Sequence, residues 1–291
     1  MSELSKADLV FNADGKLYHI NLSPGELATN IILVGDPARA KLVASFFDKI
    51  IFETTNREIN TYTGTYNSKP ISVMSTGMGT DNVEIVLMEI DALFNIDFPS
   101  GKVKQNLTQL NLIRIGTSGA LQKNIPVVDS FLVSEYAIGL DGLAYFYEKS
   151  MFSMEREMTS SFINQMDYDK NLPKPYAVRA SKVLVEKIGK SWRRGITLTA
   201  PGFYGPQGRK LRLEVTDEAI IDKATRFKYN GFEVTNFEME SSALYLLSAM
   251  LGHNALTVCD IIANRVTGEF QADYKTSMKL LIGEVLKDLL A

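Results

Sequence analysis

Short apolar runs that alternate with helix-period segments constrain the fold of this chain more than any other feature. The run 30–34 is β-branched and ends at Gly35, which is typical of a buried strand. Asp36 can then cap a helix, and Pro37 fits its first position. Similar runs predict strands over 30–34, 69–75, 110–115, 130–138, 195–199, 233–237 and 255–263.

Helices are predicted between these strands. They begin at Asp36 and cover 81–94, 176–188, 239–251 and 274–290, whereas 151–175 gives no clear pattern. A strand-then-helix succession predicts a mainly parallel or mixed sheet with helices on both faces. The chain has no internal repeat, low-complexity tract or linker, so we predict an α/β fold with one domain over residues 1–291.

Composition excludes several classes of protein. The 31 basic and 34 acidic residues give a net charge of −3, which argues against a nucleic-acid partner held through phosphates. Cys259 is the only cysteine, and His19 and His253 are the only histidines, so an intrachain disulfide and a three-histidine metal site are excluded. The N-terminus has no apolar signal region, and the apolar stretch 243–251 is shorter than the roughly 20 residues of a membrane span. We expect a cytoplasmic protein with no membrane partner.

Glycine and arginine recur at the predicted strand ends, where ligands bind in open α/β sheets. Guanidinium groups and exposed amides suit an anion such as phosphate. In any single segment, glycine could simply end a strand and arginine could be surface charge. Four such segments together favour an anion site: Gly35-Asp-Pro-Ala-Arg39, Gly77-Met-Gly79, Arg114-Ile-Gly-Thr-Ser-Gly119 and Asn264-Arg265.

Other nucleotide and hydrolase motifs are missing from the sequence. Gly77-Met-Gly79 is followed by Asn82 where a dinucleotide fingerprint has its third glycine. Neither a Walker A loop nor a Gly-x-Ser-x-Gly elbow occurs. We therefore do not expect NAD binding, P-loop phosphoryl transfer or a serine triad.

Glu238 and Glu240 stand out in the segment Asn236-Phe-Glu-Met-Glu-Ser241. At the end of a strand, a spacing of two points both side chains the same way. Two carboxylates there could accept hydrogen bonds from the paired hydroxyls of a sugar. They could equally be acids placed at a helix N-terminus, where the helix dipole favours them.

Four ordered motifs resemble those of the nucleoside phosphorylase-I family, and the resemblance runs from about His19 to the last helix. It implies an α/β fold around a distorted, partly barrel-like mixed sheet, and transfer of a ribosyl group from a base to phosphate. The motifs are Gly35-Asp-Pro-Ala-Arg39, Ser75-Thr-Gly-Met-Gly79, Arg114-Ile-Gly-Thr-Ser-Gly119 and Phe237-Glu-Met-Glu-Ser241.

The nature of the base is indicated by the segment from Phe203 to Arg209. Its Gln207-x-Arg209 pair resembles the uridine-cleaving members, as does Asn264-Arg265. Purine-cleaving members have an aspartate near there, whereas Asn264 cannot act as an acid. Taken without the other motifs, Gln207 and Arg209 would be a polar loop after a turn.

The resemblance implies a role for each matching residue. Arg57 and His19 would come from a neighbouring subunit, so we expect a homo-oligomer with shared active sites, at least a dimer, with a hexamer as one form that it could take. The implied phosphate ligands are Gly35, Arg39, Arg57, Arg114 and Thr117, and the implied ribose ligands are His19, Thr117, Met239 and Glu240. The base would be contacted by Phe203, Gln207 and Arg209, with Glu238 in support. Catalysis would depend on Arg39, Arg114, Glu240 and Arg265.

The resemblance also bears on cofactors. It implies phosphate as co-substrate and no organic cofactor. Glu58 and Asn82 fall where some members hold a potassium ion at the subunit boundary. The loop continues Thr80-Asp-Asn rather than Gly-Pro-Ser, and 98–106 resembles a lysine-bearing insertion, for which we expect a solvated loop.

The expected reaction converts uridine and phosphate to uracil and ribose 1-phosphate in nucleoside salvage. Two alternatives stay open. One is a purine nucleoside phosphorylase or nucleosidase of the same family, which Asn264 and the Gln207-x-Arg209 pair disfavour. The other is a non-catalytic nucleoside-binding protein, which the complete arginine set disfavours.

Overall fold

The computed structural model describes residues 4–5, 7–127, 129–148 and 155–291. Helices in this part of the chain are α1 (Pro37–Ala44), α2 (Thr80–Asn95), α3 (Arg156–Gln165), α4 (Lys182–Lys187), α5 (Ile220–Arg226), α6 (Ser241–Leu251) and α7 (Lys275–Leu290). Strands are β1 (Asn30–Val34), β2 (Lys49–Asn56), β3 (Ile59–Tyr66), β4 (Lys69–Ser75), β5 (Ile96–Asp97), β6 (Lys102–Val103), β7 (Asn111–Ala120), β8 (Phe131–Gly139), β9 (Tyr176–Arg179), β10 (Arg193–Thr199), β11 (Lys228–Tyr229), β12 (Phe232–Glu238) and β13 (Asn254–Asn264).

One mixed sheet of eleven strands organises the molecule. Its order is β11-β12-β10-β8-β13-β7-β1-β4-β3-β2, and β9 pairs with β8. β12 also pairs with β7, through Asn236–Ala120 and Phe237–Gly119, so β7, β13, β8, β10 and β12 close into a ring. The predicted α/β class and the distorted, partly barrel-like sheet are confirmed.

Helices cover both faces of this sheet and bury the predicted apolar runs. In α6, the eight residues from Ser241 to Ser248 are all buried, because the helix is enclosed on every side. The predicted apolar face of α7 is also buried, including Met278, Leu281, Ile282 and Val285. Among the described residues, none of the helices combines the length and apolar character that crossing a bilayer requires.

The helix predicted over 176–188 is wrong in its first part. Tyr176–Arg179 forms β9 antiparallel to β8, and the helix begins only at Lys182. Tyr176, Ala177 and Val178 are all buried, which is the pattern of a strand covered on both faces. Short apolar runs of this kind cannot be assigned to strand or helix by periodicity alone.

Other departures concern strand extent. The hairpin of β2 and β3 was not predicted, because its strands are rich in polar residues and β2 is largely exposed. β7 continues to Ala120, five residues beyond its predicted end, because β13 and β12 both pair with this part of it. Where a solvated loop was expected over 98–106, β6 pairs with β5, which directly precedes the segment, to form a short hairpin, and Lys104 donates to the Phe94 carbonyl at the end of α2. The unclear region 151–175 lies partly outside the described residues.

Candidate active site

A cavity of about 970 Å³ opens beside the carboxyl ends of β1, β7, β12 and β13. Most of the predicted site residues line it, although they come from distant parts of the chain. Those residues are Gly35, Arg39, Glu58, Asn82, Arg114, Thr117, Phe203, Gln207, Arg209, Glu238, Met239, Glu240 and Arg265.

Arg39 and Gly35 form one wall of the cavity at the junction of β1 and α1. Asp36 caps α1 by accepting the Ala38 amide, which fixes the helix directly after the strand. Arg39 is buried, and its Nη1 donates to the Ile115 carbonyl at 3.4 Å. This places a guanidinium group beside the N-terminus of a helix, where an anion is favoured.

Arg114 lies between two buried carboxylates. Its Nη2 donates to Oε2 of Glu240, and its Nη1 lies 3.6 Å from Oε2 of Glu238. The other oxygen of Glu240 accepts the Gly79 amide at 2.8 Å. Gly116 makes room for the guanidinium, because a Cβ at this position would lie 2.1 Å from Nη1.

Burial and the neighbouring charges shift the pKa values of Arg114 and Glu240. Burial lowers the pKa of Arg114, but the charges of Glu240 and Glu238 outweigh it and the pKa is raised. Burial raises the pKa of Glu240, with Arg114 opposing the shift and Glu238 adding to it. Within the described chain, Nε and Nη1 of Arg114 have no hydrogen-bond partner. Both donors are buried, and leaving buried donors unpaired is costly.

Glu238 and Glu240 lie at the N-terminus of α6, which is the helix-end alternative that the sequence left open. Glu238 ends β12, but Glu240 already occupies the N-cap position of α6, so the two are not strand residues on one face. The Glu238 carboxylate accepts the Glu240 and Ser241 amides and the Thr199 hydroxyl. Glu238 thus caps the helix, while Glu240 lies in the cavity wall.

Gln207, Arg209 and Arg265 form a cationic corner at the other end of the cavity. Arg209 donates to Oε1 of Gln207 at 2.5 Å and lies 3.8 Å from the ring centroid of Phe203. Arg265 donates to the Gln207 carbonyl, and its buried Nη1 has no partner in the described residues. Burial and the neighbouring Arg265 lower the pKa of Arg209 to about 10, and burial lowers that of Arg265. Two close guanidinium groups destabilise each other, so this corner favours an electron-rich or anionic ligand.

Asn264 borders the cavity, but its side chain is fully engaged with the backbone. Nδ2 donates to the carbonyls of Gln122 and Ile125 at 3.0 and 2.9 Å. Oδ1 accepts the amides of Val266 and Thr267. This side chain holds the loop after β13 and has no polar atom left for a ligand.

His19 and Arg57 are not part of the cavity wall of their own chain. They lie together instead, because Asn56 donates to the carbonyls of Tyr18 and His19. The Arg57 guanidinium lies 5.6 Å from the ring centroid of Tyr18, which packs edge-on against His19. The contribution of both residues to a neighbouring subunit stays a prediction.

Glu58 and Asn82, the predicted potassium ligands, are adjacent in the cavity wall. Asn82 donates to Oε1 of Glu58 at 3.4 Å, and the absent side chain of Gly77 leaves space for Asn82. In the described ranges, no group of three or more acidic, histidine or cysteine residues could hold a metal. A potassium ion at this pair stays a prediction.

Several residues of the site were not predicted, including Thr199, Gly116 and Phe270. Thr199 supports Glu238, Gly116 accommodates Arg114, and the exposed ring of Phe270 lies at the cavity. Gly116 lies within a recognised motif, so its close approach to a side chain could have been suspected. Thr199 and Phe270 carry no comparable signal, because their roles depend on which strands and loops meet.

These features define an α/β protein whose cavity offers guanidinium groups at both ends and carboxylates between them. The chain belongs to the phosphorylase superfamily, whose family model matches residues 29–289. Members of this family use phosphate as co-substrate and need no organic cofactor. The relatives described below are nucleoside phosphorylases, which are enzymes of the pentosyltransferase class.

Relatives with different printed specificities resemble this chain. A uridine phosphorylase of Thermococcus kodakarensis is 30% identical over 95% of this chain and 87% of the relative. A DeoD-type purine nucleoside phosphorylase of Oceanobacillus iheyensis is 27% identical over 92% and 99%, respectively. The crystal structure of a Trypanosoma brucei nucleoside phosphorylase, described as showing uridine phosphorylase activity, is 30% identical with a TM-score of 0.87, covering 97% of this chain and 99% of that one.

Proposed function

We propose that this protein catalyses the reversible phosphorolysis of uridine to uracil and ribose 1-phosphate. The observation that carries the proposal is the cationic corner of Gln207, Arg209 and Arg265, next to an Asn264 whose polar atoms are all engaged. Uracil has two carbonyl acceptors and becomes anionic as it leaves. Amide and guanidinium donors match those acceptors, and the Asn264 side chain, unlike an aspartate, cannot protonate a purine.

The phosphate and ribose would bind along the other walls. Arg39, Arg114, Gly35 and Thr117 are proposed to bind phosphate on one face of the sugar. Positive charge develops on the ribose as the glycosidic bond stretches, and the bound phosphate stabilises it before attacking. Glu240 is proposed to accept from the 2′ and 3′ hydroxyls, beside Met239. Each preorganised donor to the leaving base is typically worth about 10²–10³ in rate.

His19 and Arg57 extend the proposal to a homo-oligomer. Neither residue lines its own cavity, although the resemblance places both at the ligand. A two-fold interface would bring this pair to a neighbouring cavity and complete two equivalent sites at once. We propose that Arg57 completes the phosphate site and that His19 reaches the 5′-hydroxyl.

The decisive experiment follows base release from uridine, thymidine, inosine and methylthioadenosine, with and without phosphate. We expect uridine to be the best ribonucleoside substrate and release to be negligible without phosphate. Equal release in phosphate-free buffer would identify a nucleosidase. Tight uridine binding without turnover would identify a binding protein.

A purine nucleoside phosphorylase is the second candidate, because several relatives carry that name. It predicts faster cleavage of inosine than of uridine in the same assay. Gln207→Ala separates the two candidates further. For a uridine enzyme we expect kcat/KM for uridine to fall by the equivalent of about 1–3 kcal/mol with little change for inosine.

A further inference from the structure

The carboxylate of Glu89 binds both the side chain and the backbone of His19. Oε1 of Glu89, on α2, lies 2.6 Å from Nδ1 of His19. Oε2 of the same residue accepts the backbone amides of His19 and Ile20 at 3.1 and 2.9 Å. The Glu89 side chain is only 12% exposed, whereas that of His19 is 31% exposed. Three donors thus converge on a single, mostly buried acceptor.

This arrangement fixes the protonation pattern of the neutral imidazole ring. An ionised carboxylate only accepts hydrogen bonds, so Nδ1 of His19 must carry the hydrogen. Nε2 of the neutral ring is then an acceptor, and no group of the described chain binds it. The ring therefore presents a lone pair outward.

The other histidine is held in the opposite state. The Leu110 amide donates to Nδ1 of His253 at 3.3 Å, so Nδ1 is the acceptor. Nε2 of His253 lies 3.1 Å from the Asp91 carboxylate and carries the hydrogen. The two histidines of the chain therefore differ in tautomer: neutral His19 carries its hydrogen on Nδ1, and neutral His253 carries it on Nε2.

We propose that Glu89 is a positioning residue that holds neutral His19 as the Nδ1–H tautomer, so that Nε2 accepts a hydrogen bond from a hydroxyl group of a ligand in an adjacent copy of the chain. This inference rests on the proposed function, in which that group is the nucleoside 5′-hydroxyl. Asn56 supports the same segment through the carbonyls of Tyr18 and His19.

The backbone amides explain why a carboxylate is needed. In Glu89→Gln, the side-chain oxygen must face the His19 and Ile20 amides, since an NH₂ group there would oppose two donors. The NH₂ group then faces Nδ1 of His19, which has to become the acceptor. The substitution therefore switches the neutral ring to the Nε2–H tautomer without changing its size.

Nitrogen-15 NMR of the imidazole rings tests this directly. The spectra are recorded at a pH above which the imidazole signals no longer change with pH, so that both rings are in the neutral form. In the wild type we expect one Nδ1–H ring, assigned to His19 by its loss in His19→Asn, and one Nε2–H ring. In Glu89→Gln we expect the His19 ring to convert to Nε2–H and His253 to stay unchanged. A wild-type His19 that is mainly Nε2–H, or one unaffected by Glu89→Gln, overturns the proposal.

A kinetic comparison tests the role of the ring. The ratio of kcat/KM for uridine to that for 5′-deoxyuridine measures what the 5′-hydroxyl contributes. We expect Glu89→Ala, which releases the ring, to lower this ratio by roughly threefold to tenfold, the worth of about one hydrogen bond. General damage would lower both values together and leave the ratio unchanged, which would overturn the positioning role.

Glu84→Gln is the matched control, because Glu84 also lies on α2 but accepts from the Tyr147 hydroxyl, a bond that glutamine can keep. It should change neither the ratio nor the NMR signals. If the wild type cleaves no nucleoside, the proposed function and the ligand role both fail. The tautomer assignment is still decided by the NMR spectra.

Discussion

The hydroxyl of Thr199 donates a 2.6 Å hydrogen bond to Oε1 of Glu238, and both groups are buried. Glu238 also accepts the Glu240 and Ser241 amides, so Thr199 at the end of β10 helps to fix the first turn of α6. The Glu240 side chain extends from this turn and accepts a hydrogen bond from Arg114. The proposed ribose ligand is therefore oriented by a hydroxyl that need not touch the substrate.

Thr199→Val should lower both stability and activity. The substitution keeps the shape of the side chain but removes one of the donors to a buried carboxylate oxygen and takes away the acceptor of the Ser242 amide, so unfolding should become easier by about 1–3 kcal/mol. We also expect kcat/KM for the preferred nucleoside to fall, because Glu240 loses its support. Denaturant unfolding and steady-state kinetics measure the two effects. Thr199→Ser retains the hydroxyl and should recover most of both; equal loss in the two variants would contradict the argument.

Gly116→Ala should disable the site while leaving every proposed ligand in the chain. The new Cβ would displace the Arg114 guanidinium from the place where it neutralises Glu240. We expect turnover to fall by about 10²–10³, comparable to losing a preorganised donor. Gly283→Ala on α7 is the control, because its Cβ would lie 3.8 Å from the Phe46 ring, an ordinary contact. Wild-type turnover in Gly116→Ala would show that Arg114 does not need its present position.

Sequence patterns predicted the parts of the fold whose physical signal is local. The run Asn30–Val34, the cap at Asp36 and the apolar face of α7 each depend on neighbouring residues, and they are correct. Tyr176–Arg179 was misassigned because burial of a short run depends on what packs against it. The closure of the ring by β12 and β7 has no local signal at all.

The site shows the same division. The ordered motifs predicted which residues line the cavity, because they place glycines and arginines at the carboxyl ends of strands, and these ends lie side by side in the sheet. They allowed Glu238 a place at a helix N-terminus, but they did not indicate that Thr199 supports it, or that backbone groups occupy every polar atom of the Asn264 side chain. Those partners lie up to 142 residues apart in the chain, and only the tertiary structure selects them.

Asn264→Asp should not create purine activity, although it restores the residue type of the purine-cleaving members. An aspartate cannot donate to the carbonyls of Gln122 and Ile125, which would then face a buried carboxylate. We expect a loss of about 1–3 kcal/mol or more in unfolding free energy and no gain in kcat/KM for inosine. Asn230→Asp, in the exposed turn between β11 and β12, controls for the change of charge. Efficient inosine cleavage by Asn264→Asp would show that the loop can rearrange.

Asp260 should make the protein less stable as the pH rises. Its side chain is fully buried, Ser277 donates to Oδ1 at 2.8 Å, and within the described residues Oδ2 has no partner. Burial raises the pKa of Asp260 above its ordinary value, with Asp129 adding to the shift and Ser277 and Arg39 opposing it. The folded state therefore binds the proton more tightly than the unfolded chain, and this stabilisation is lost as the pH rises through the folded pKa.

Asp260→Asn removes this titration and can keep its bond to Ser277. Relative to the wild type, the variant should gain unfolding free energy as the pH rises from about 4, the ordinary aspartate pKa, toward neutrality. Urea unfolding at a series of pH values measures the difference. Asp14→Asn, at an exposed N-terminal turn, should show no such trend. A difference that is independent of pH would mean that the ionisation of Asp260 does not affect stability.

Subunit complementation tests whether Arg57 serves a neighbouring cavity. An Arg57→Ala chain is mixed with an Arg39→Ala chain; Arg39 is chosen over Arg114 because removing Arg114 would leave Glu240 buried without its partner. In a mixed dimer, the cavity of the Arg57→Ala chain keeps its own Arg39 and receives Arg57 from its partner. Random exchange at equal amounts makes half of the dimers mixed, each with one complete site, so roughly a quarter of wild-type activity should return. No recovery after verified exchange would mean that both arginines act within one chain, as would full activity of an isolated monomer.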